Sequence, residues 1–374
     1  MNLTFLRPLY DRPGSWVSVY LDTTRSEQNA EHEIDLRLRA MRETLTERGA
    51  DPAAIDAVED VVRERPFVAG RHGIAVFANG AEVALAETLP AAPISENAYV
   101  EPLPHAMPLL AQRGEEVPYV RVLADRTGGD IDALSTGGAP RHEAVQGGET
   151  FPIHKARGGG WSTLRFQHSV EETWKRNAGD VAAAAADLAE SVGAEVIVVG
   201  GDVHAVQDLI AKLPKRWHDR VVRTEAGSRG AGADESALDD VTLQAVAETA
   251  DRHVRDVIDR FRAQQGDGSA ATGLTDVVAA LQRGQVDAVL LINDMSSTDK
   301  LWIDPDDPTA VSVDDHVLRE AGVKEPVKVR ADAALVRAAA GTGAQLYLVS
   351  PEQVELEHGI GAVMRYSSVS GISG

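Results

Sequence analysis

Short apolar runs alternate with helical stretches along most of this chain, and that alternation restricts it to folds that layer helices on sheets. Residues 16–22, Trp-Val-Ser-Val-Tyr-Leu-Asp, alternate like a half-buried strand. Residues 27–48 read as a charged helix closed by Gly49. Residues 52–65 read as a second helix, with Asp51 as N-cap and Pro52 in its first position. Predicted strands at 73–77 and 82–87 meet at Asn79-Gly80, a hairpin signal. The segment 90–116 reads as irregular.

A second block opens with predicted strands at 118–124 and 130–134 around Thr127-Gly128-Gly129. From 135 to 167 no periodicity is visible; loops of that length are usually functional or mobile. This stretch holds Gly147-Gly148 and Gly158-Gly159-Gly160-Trp161. Val170, Trp174, Val181, Ala185, Leu188 and Val192 then step along one helical face. A strand at 195–199, a helix at 203–213, a strand at 220–224, a Gly/Ala loop at 226–233 and a long helix at 236–264 follow. Residues 265–269, Gln-Gly-Asp-Gly-Ser, read as a linker. The last block is a helix at 275–283, a strand at 288–293, an acidic insert at 304–315, a helix at 331–340 and strands at 345–350 and 362–366. The chain's 374 residues exceed what one small core organises. The expectation is an α/β fold in three α/β domains, 1–114, 115–264 and 265–374, with mostly parallel sheets in the latter two.

Several chemistries are excluded or unsupported. Cysteine is absent, so disulfides and thiolate nucleophiles are excluded. The histidines are scattered, without metal-ligand spacing, and no metal or cofactor is expected. Neither a Walker-A sequence nor Gly-x-Ser-x-Gly occurs. Gly359-Ile360-Gly361 begins like a dinucleotide fingerprint, but Met364 stands where the third glycine belongs; it reads as a turn before the last strand. No leader or membrane-length apolar run is seen, so a cytoplasmic protein with no membrane partner is expected.

Charge singles out one region. The net charge is −21, which disfavours nucleic acid over the general surface and gives no reason to expect DNA as a partner. Between residues 141 and 176, however, Arg141, Lys155, Arg157, Arg165, Lys175 and Arg176 outnumber Glu143, Glu149, Glu171 and Glu172. His142, His154 and His168 lie there too. Glycines let a loop pass close to other backbone, Lys and Arg neutralise phosphates, and an indole stacks on a base. By residue type alone, a solvated loop with Trp161 folded back on its own domain fits equally well.

Gly159-Gly160-Trp161-Ser162-Thr163-Leu164-Arg165-Phe166 resembles the catalytic loop of archaeo-eukaryotic class-one release factors, a Gly-Gly-Gln tip followed by Ser-x-x-Arg-Phe and a long helix. Two more resemblances follow in order. Residues 273–287, from Gly273-Leu274-Thr275-Asp276 to Gly284-Gln285-Val286-Asp287, are similar to the start of that family's C-terminal domain. His358-Gly359-Ile360-Gly361-Ala362-Val363-Met364-Arg365-Tyr366 is similar to its closing motif. Together they span about 117–374 and point to the bacterial branch of the superfamily, with its Pelota-like and Balon-like proteins. Residues 1–114 show no match to the codon-reading domain.

The resemblance implies a ribosome hibernation factor. Such a protein occupies the A site and sets its middle-domain loop at the peptidyl-transferase centre. Gly158, Gly159, Gly160 and Trp161 would form the tip. His154, Lys155, Arg157, Arg165, Gln167, His168, Lys175 and Arg176 would contact RNA. The implied partners are 23S and 16S rRNA and elongation factor Tu, with a monomer off the ribosome. Trp161 stands where release factors carry the glutamine that helps place water, so no catalytic residue is assigned. An indole offers one N–H and no acceptor. The alternative is a peptidyl-tRNA hydrolase or rescue factor with an altered loop; a small-molecule enzyme in the second block is a further class.

Overall fold

The computed structural model describes residues 1–24, 30–65, 72–93, 95–138, 140–147, 161–229, 236–294 and 299–366; for 30–31 and 161–171 only the helical backbone is described. The chain divides into two compact units, Met1–Glu115 with Val254–Gly374, and Glu116–His253. The described residues form a mixed α/β structure with four sheets.

The first unit begins with β1 (Trp16–Asp22), α1 (Ala30–Glu47), α2 (Pro52–Glu64), β2 (Gly73–Asn79), β3 (Glu82–Leu89), β4 (Asn97–Glu101) and α3 (Met107–Arg113). The sheet order is β3-β2-β1-β4, with every pair antiparallel. Asp51 caps α2 as expected, accepting the Ala53 amide at 3.0 Å. Gly80 takes φ +56° at the hairpin turn. The segment expected to be irregular contains β4 and α3; five- and seven-residue elements are too short to show a period.

β1 is buried on both faces, not one. Val17, Val19 and Leu21 pack with Leu38, Leu45, Ile55 and Val58 under α1 and α2. Trp16 and Tyr20 alternate to the other face and join a core with Leu335 and Val336 from the far end of the chain. The Tyr20 hydroxyl donates to the His105 carbonyl at 2.7 Å, and the His105 amide donates to Ser18 Oγ at 3.0 Å, which satisfies polar groups along this strand. Segments 1–114 and 265–374, separate in sequence, therefore share a core.

The second unit contains β5 (Tyr119–Asp125), β6 (Gly128–Leu134), β7 (Arg141–Gln146), α4 (Trp161–Val192), β8 (Val196–Gly201), α5 (Val203–Lys212), β9 (Val221–Arg223) and the first part of α6 (Ser236–Asp267). Its sheet runs β7-β6-β5-β8-β9. β5, β8 and β9 are parallel, whereas β6 and β7 return antiparallel. One face packs Val120, Val122 and Ile131 against Val181, Ala185 and Leu209 of α4 and α5. The other packs Leu123 and Val198 against Leu238 and Ala245 of α6.

The chain then returns to the first unit with β10 (Ala271–Thr272), α7 (Gly273–Gln282), β11 (Val286–Ile292), β12 (Lys300–Ile303), β13 (Val311–Ser312), α8 (Asp315–Glu320), β14 (Val327–Arg330), α9 (Ala331–Thr342), β15 (Gln345–Val349) and β16 (Ile360–Met364). The sheets are β10-β16-β11-β15 and β13-β12-β14. Only β11 and β15 pair in parallel among these described strands, so the expected mostly parallel architecture is corrected to mixed sheets. The expected linker is corrected too: α6 runs through Gln265 and Gly266 to Asp267, and Gly268 at φ +76° closes it. Packing of Val257, Ile258 and Phe261 against Leu290 and Val363 holds the end of that helix in place. α9 is buried around its whole circumference, and its alanines let neighbours approach closely.

Candidate functional site

The turn between β5 and β6 is built on one carboxylate. Asp125 Oδ1 accepts the Thr127 amide and hydroxyl at 2.6 Å each, the Gly128 amide at 3.0 Å and Arg229 Nη1 at 3.0 Å. Burial alone would raise this carboxyl's pKa; the Thr127 and Arg229 bonds outweigh burial and hold it below the usual range. Gly128 has φ +156°, and a Cβ there would lie 2.0 Å from the Val145 carbonyl oxygen, so only glycine lets β7 close on the turn.

This turn holds Gly147, just past the end of β7. The Gly147 amide donates to the Thr127 carbonyl at 2.7 Å. A Cβ on Gly147 would meet the Asn177 amide carbon at 2.1 Å. Asn177, buried on α4, donates to the Arg126 carbonyl at 3.0 Å. The Arg126 guanidinium lies 4.4 Å from the Trp174 ring centroid, and its Nε is 3.7 Å from Asp202, the N-cap of α5. The point where 148–160 leaves the sheet is therefore tied to α4 at Asn177. α4 starts at Trp161, about 24 Å of helix away.

A charged network covers the neighbouring face of the sheet. Arg121 pairs with Asp132 at 2.7 Å and with Asp239 on α6. Arg229 pairs with Asp130 at 2.9 Å, and His142 Nδ1 lies 2.8 Å from Asp132 Oδ1. Donating a hydrogen bond to Asp132 raises the His142 pKa; burial would raise that of Asp132, but His142 and Arg121 outweigh it and lower it. A raised imidazole adds stability below its unfolded pKa, near 6.5, that disappears as pH rises through the folded value. The His142 ring is expected to titrate above an ordinary histidine by NMR, and Asp132→Asn is expected to return it toward about 6.5; equal midpoints in the two proteins would refute this pairing.

The candidate residues divide plainly. Lys175 and Arg176 are exposed on α4, and Arg141 is exposed on β7. His154, Lys155, Arg157, Gly158, Gly159 and Gly160 lie outside the described residues, as do the side chains of Trp161, Arg165, Gln167 and His168, whose backbone is in α4. Of Arg37, Arg39 and Arg42 on α1, Arg37 pairs with Glu96 at 2.9 Å, Arg42 pairs with Asp56 and Glu59 at 2.6 and 2.7 Å, and Arg39 is exposed. The acidic insert is largely turn chemistry: Asp307 accepts the Thr309 amide and Asp314 caps α8. Sequence reasoning missed Arg126 and Asn177, which carry no local motif; Gly147 was visible only as half of a Gly-Gly pair. Among the described residues no group of three or more His, Asp or Glu could hold a metal ion, and no helix is long and apolar enough to cross a membrane.

The second unit thus sets a 32-residue helix, α4, against a mixed sheet whose β7 ends at Gln146. Residues 118–267 match the model of bacterial archaeo-eukaryotic release factor family 2. The uncharacterized protein Rv2629 of Mycobacterium tuberculosis is 31% identical over 370 residues, covering 98% of this chain and 97% of that one. The chain belongs to the bacterial archaeo-eukaryotic release factor family 2. Among solved structures, Saccharomyces cerevisiae Dom34, a translation termination-like factor, is 12% identical with a TM-score of 0.38, covering 80% of this chain and 81% of Dom34. Archaeal Pelota in a ribosome-bound model with ABCE1 is 13% identical with a TM-score of 0.36, covering 98% and 94%.

Proposed function

We propose that this protein binds the ribosome in its A site and blocks translation without catalysis, a hibernation role. Membership of the release-factor family carries the reading, together with the anchoring of Gly147, at the end of β7, against the β5–β6 turn. The middle domain, 115–264, would bring Gly158–Gly160 and Trp161 to the peptidyl-transferase centre. Lys175 and Arg176, with the basic residues of 154–168, would meet rRNA phosphates, so binding weakens as salt rises. Residues 1–114 would face the decoding site, and 265–374 would meet a translational GTPase, elongation factor Tu in bacteria. Sedimentation with ribosomes from starved cells, followed by imaging of the complex, tests this. Absence from the ribosomal fraction at low salt would sink it.

Catalysis is tested separately by release of labelled peptide from peptidyl-tRNA on the ribosome. Wild type is expected to release none, because losing one oriented polar group in such a site costs on the order of 10²–10³ in rate. Rapid release by wild type, abolished by Trp161→Ala, would replace the blocking role with a rescue hydrolase.

A further inference from the structure

The first unit contains a cavity of about 480 Å³ that the ribosomal reading does not use. Its walls include Val100, Leu103, Ile303 and Val327, and the polar side chains that line it are Tyr10, Arg12, Ser15, Glu101 and Arg337.

Arg337 sits on α9 and is only 2% exposed. Its Nη1 donates to the Asp304 carbonyl at 2.8 Å and its Nη2 to the Pro305 carbonyl at 2.7 Å. A guanidinium has about five N–H donors, so roughly three remain beyond these two bonds. Among the described residues no carboxylate forms an ion pair with it. The nearby acids Asp304, Asp306 and Asp307 act on it only at a distance, while Asp304 accepts the Asp306 amide and Asp307 the Thr309 amide. Burial holds the Glu101 carboxyl, also on the wall, above the usual range, in spite of Arg330 and Lys300. Burial pulls the Arg337 pKa down, against the opposing influence of Tyr10, Asp307, Asp304 and Asp306.

The Tyr10 hydroxyl is buried with no hydrogen-bond partner among the described residues. Its ring and Arg337 are close enough to interact electrostatically. A buried orphan hydroxyl and a buried cation that forms no close ion pair, on the same cavity, are each unfavourable alone. A single ligand group satisfies both.

We propose that this cavity binds a small carboxylic acid with an apolar body, its carboxylate held by Arg337 and Tyr10 and its body lying against Val100, Leu103, Ile303 and Val327. A carboxylate presents two coplanar oxygens, which suits one guanidinium edge and one hydroxyl; a phosphate dianion needs more donors than these.

Calorimetric titration of the full chain with octanoate, octanol and octyl phosphate tests the site. Octanoate is expected to bind, and octanol about tenfold or more weakly, since it lacks the charge. Tyr10→Phe is expected to weaken octanoate several-fold through loss of one hydrogen bond. Val100→Trp fills the cavity and is expected to abolish binding while the thermal midpoint stays near wild type. Arg337 is left intact because it also holds the 304–305 turn. No octanoate binding at millimolar concentration would overturn the proposal. So would octanol binding equally well, octyl phosphate binding more tightly, or wild-type affinity in folded Val100→Trp.

Discussion

Reversing Lys155, Arg157 and Arg165 to glutamate together is expected to reduce ribosome binding by at least on the order of 10²-fold at low salt. Each phosphate that is no longer neutralised also flattens the logarithmic salt dependence by about one unit, so the triple variant should bind with a slope shallower by about three. The motive is local: the chain has net charge −21, yet basic residues exceed acidic ones between 141 and 176. Co-sedimentation across a salt series measures both quantities, and circular dichroism checks that the fold survives. A folded triple variant that binds with wild-type affinity and slope would remove this segment from the interface.

Phe261→Ala is expected to destabilise the first unit by about 3–5 kcal/mol. Phe261 lies on the final turns of α6, 1% exposed, among Val257, Ile258, Ala288, Leu290, Val349 and Val363. β16 reaches the ring through a glycine: a Cβ on Gly361 would lie 2.7 Å from two ring carbons. Gly361→Ala alone should therefore be destabilising by overpacking. The double variant should cost less than the sum of the two, because the added methyl enters the space the ring leaves. Urea unfolding followed by a probe in the first unit measures this, since a chain of two units need not unfold in one step. A loss below about 1 kcal/mol for Phe261→Ala would mean that the ring is not a core element.

Much of the site was legible locally, and the unread part has a common cause. The Thr127-Gly128-Gly129 turn, the Asp51 cap and the Asn79-Gly80 hairpin depend on residues within a few positions of one another, and the structure has them where the residues put them. The resemblance at 159–166 led to the family that residues 118–267 match. The anchor of the glycine segment was not legible, because its members, Arg126, Gly147, Asn177 and Asp202, are dispersed and meet only when β5, β7, α4 and α5 assemble.

By itself the sequence determined the elements whose signals are periodic or capped, the exclusion of thiol chemistry, and the charge contrast that marks 141–176. Only the tertiary structure decided how much of each element is buried and what it meets. The pattern Trp16-Val17-Ser18-Val19-Tyr20 shows alternation but not that Trp16 and Tyr20 face a second core, because a polar Ser18 reads as solvent-facing until His105 donates to it. Gln265-Gly266-Asp267 reads as a linker because Gly266 and Asp267 disfavour helix, yet α6 continues through it where Phe261 and its neighbours are packed. Arg337 is an ordinary cation in an alanine-rich helix until α9 is enclosed on every side. The physical reason is the same in each case: propensities act over a few residues and amount to tenths of a kcal/mol to about 1 kcal/mol each, whereas burial of a side chain is worth several times that and is set by residues distant in the chain.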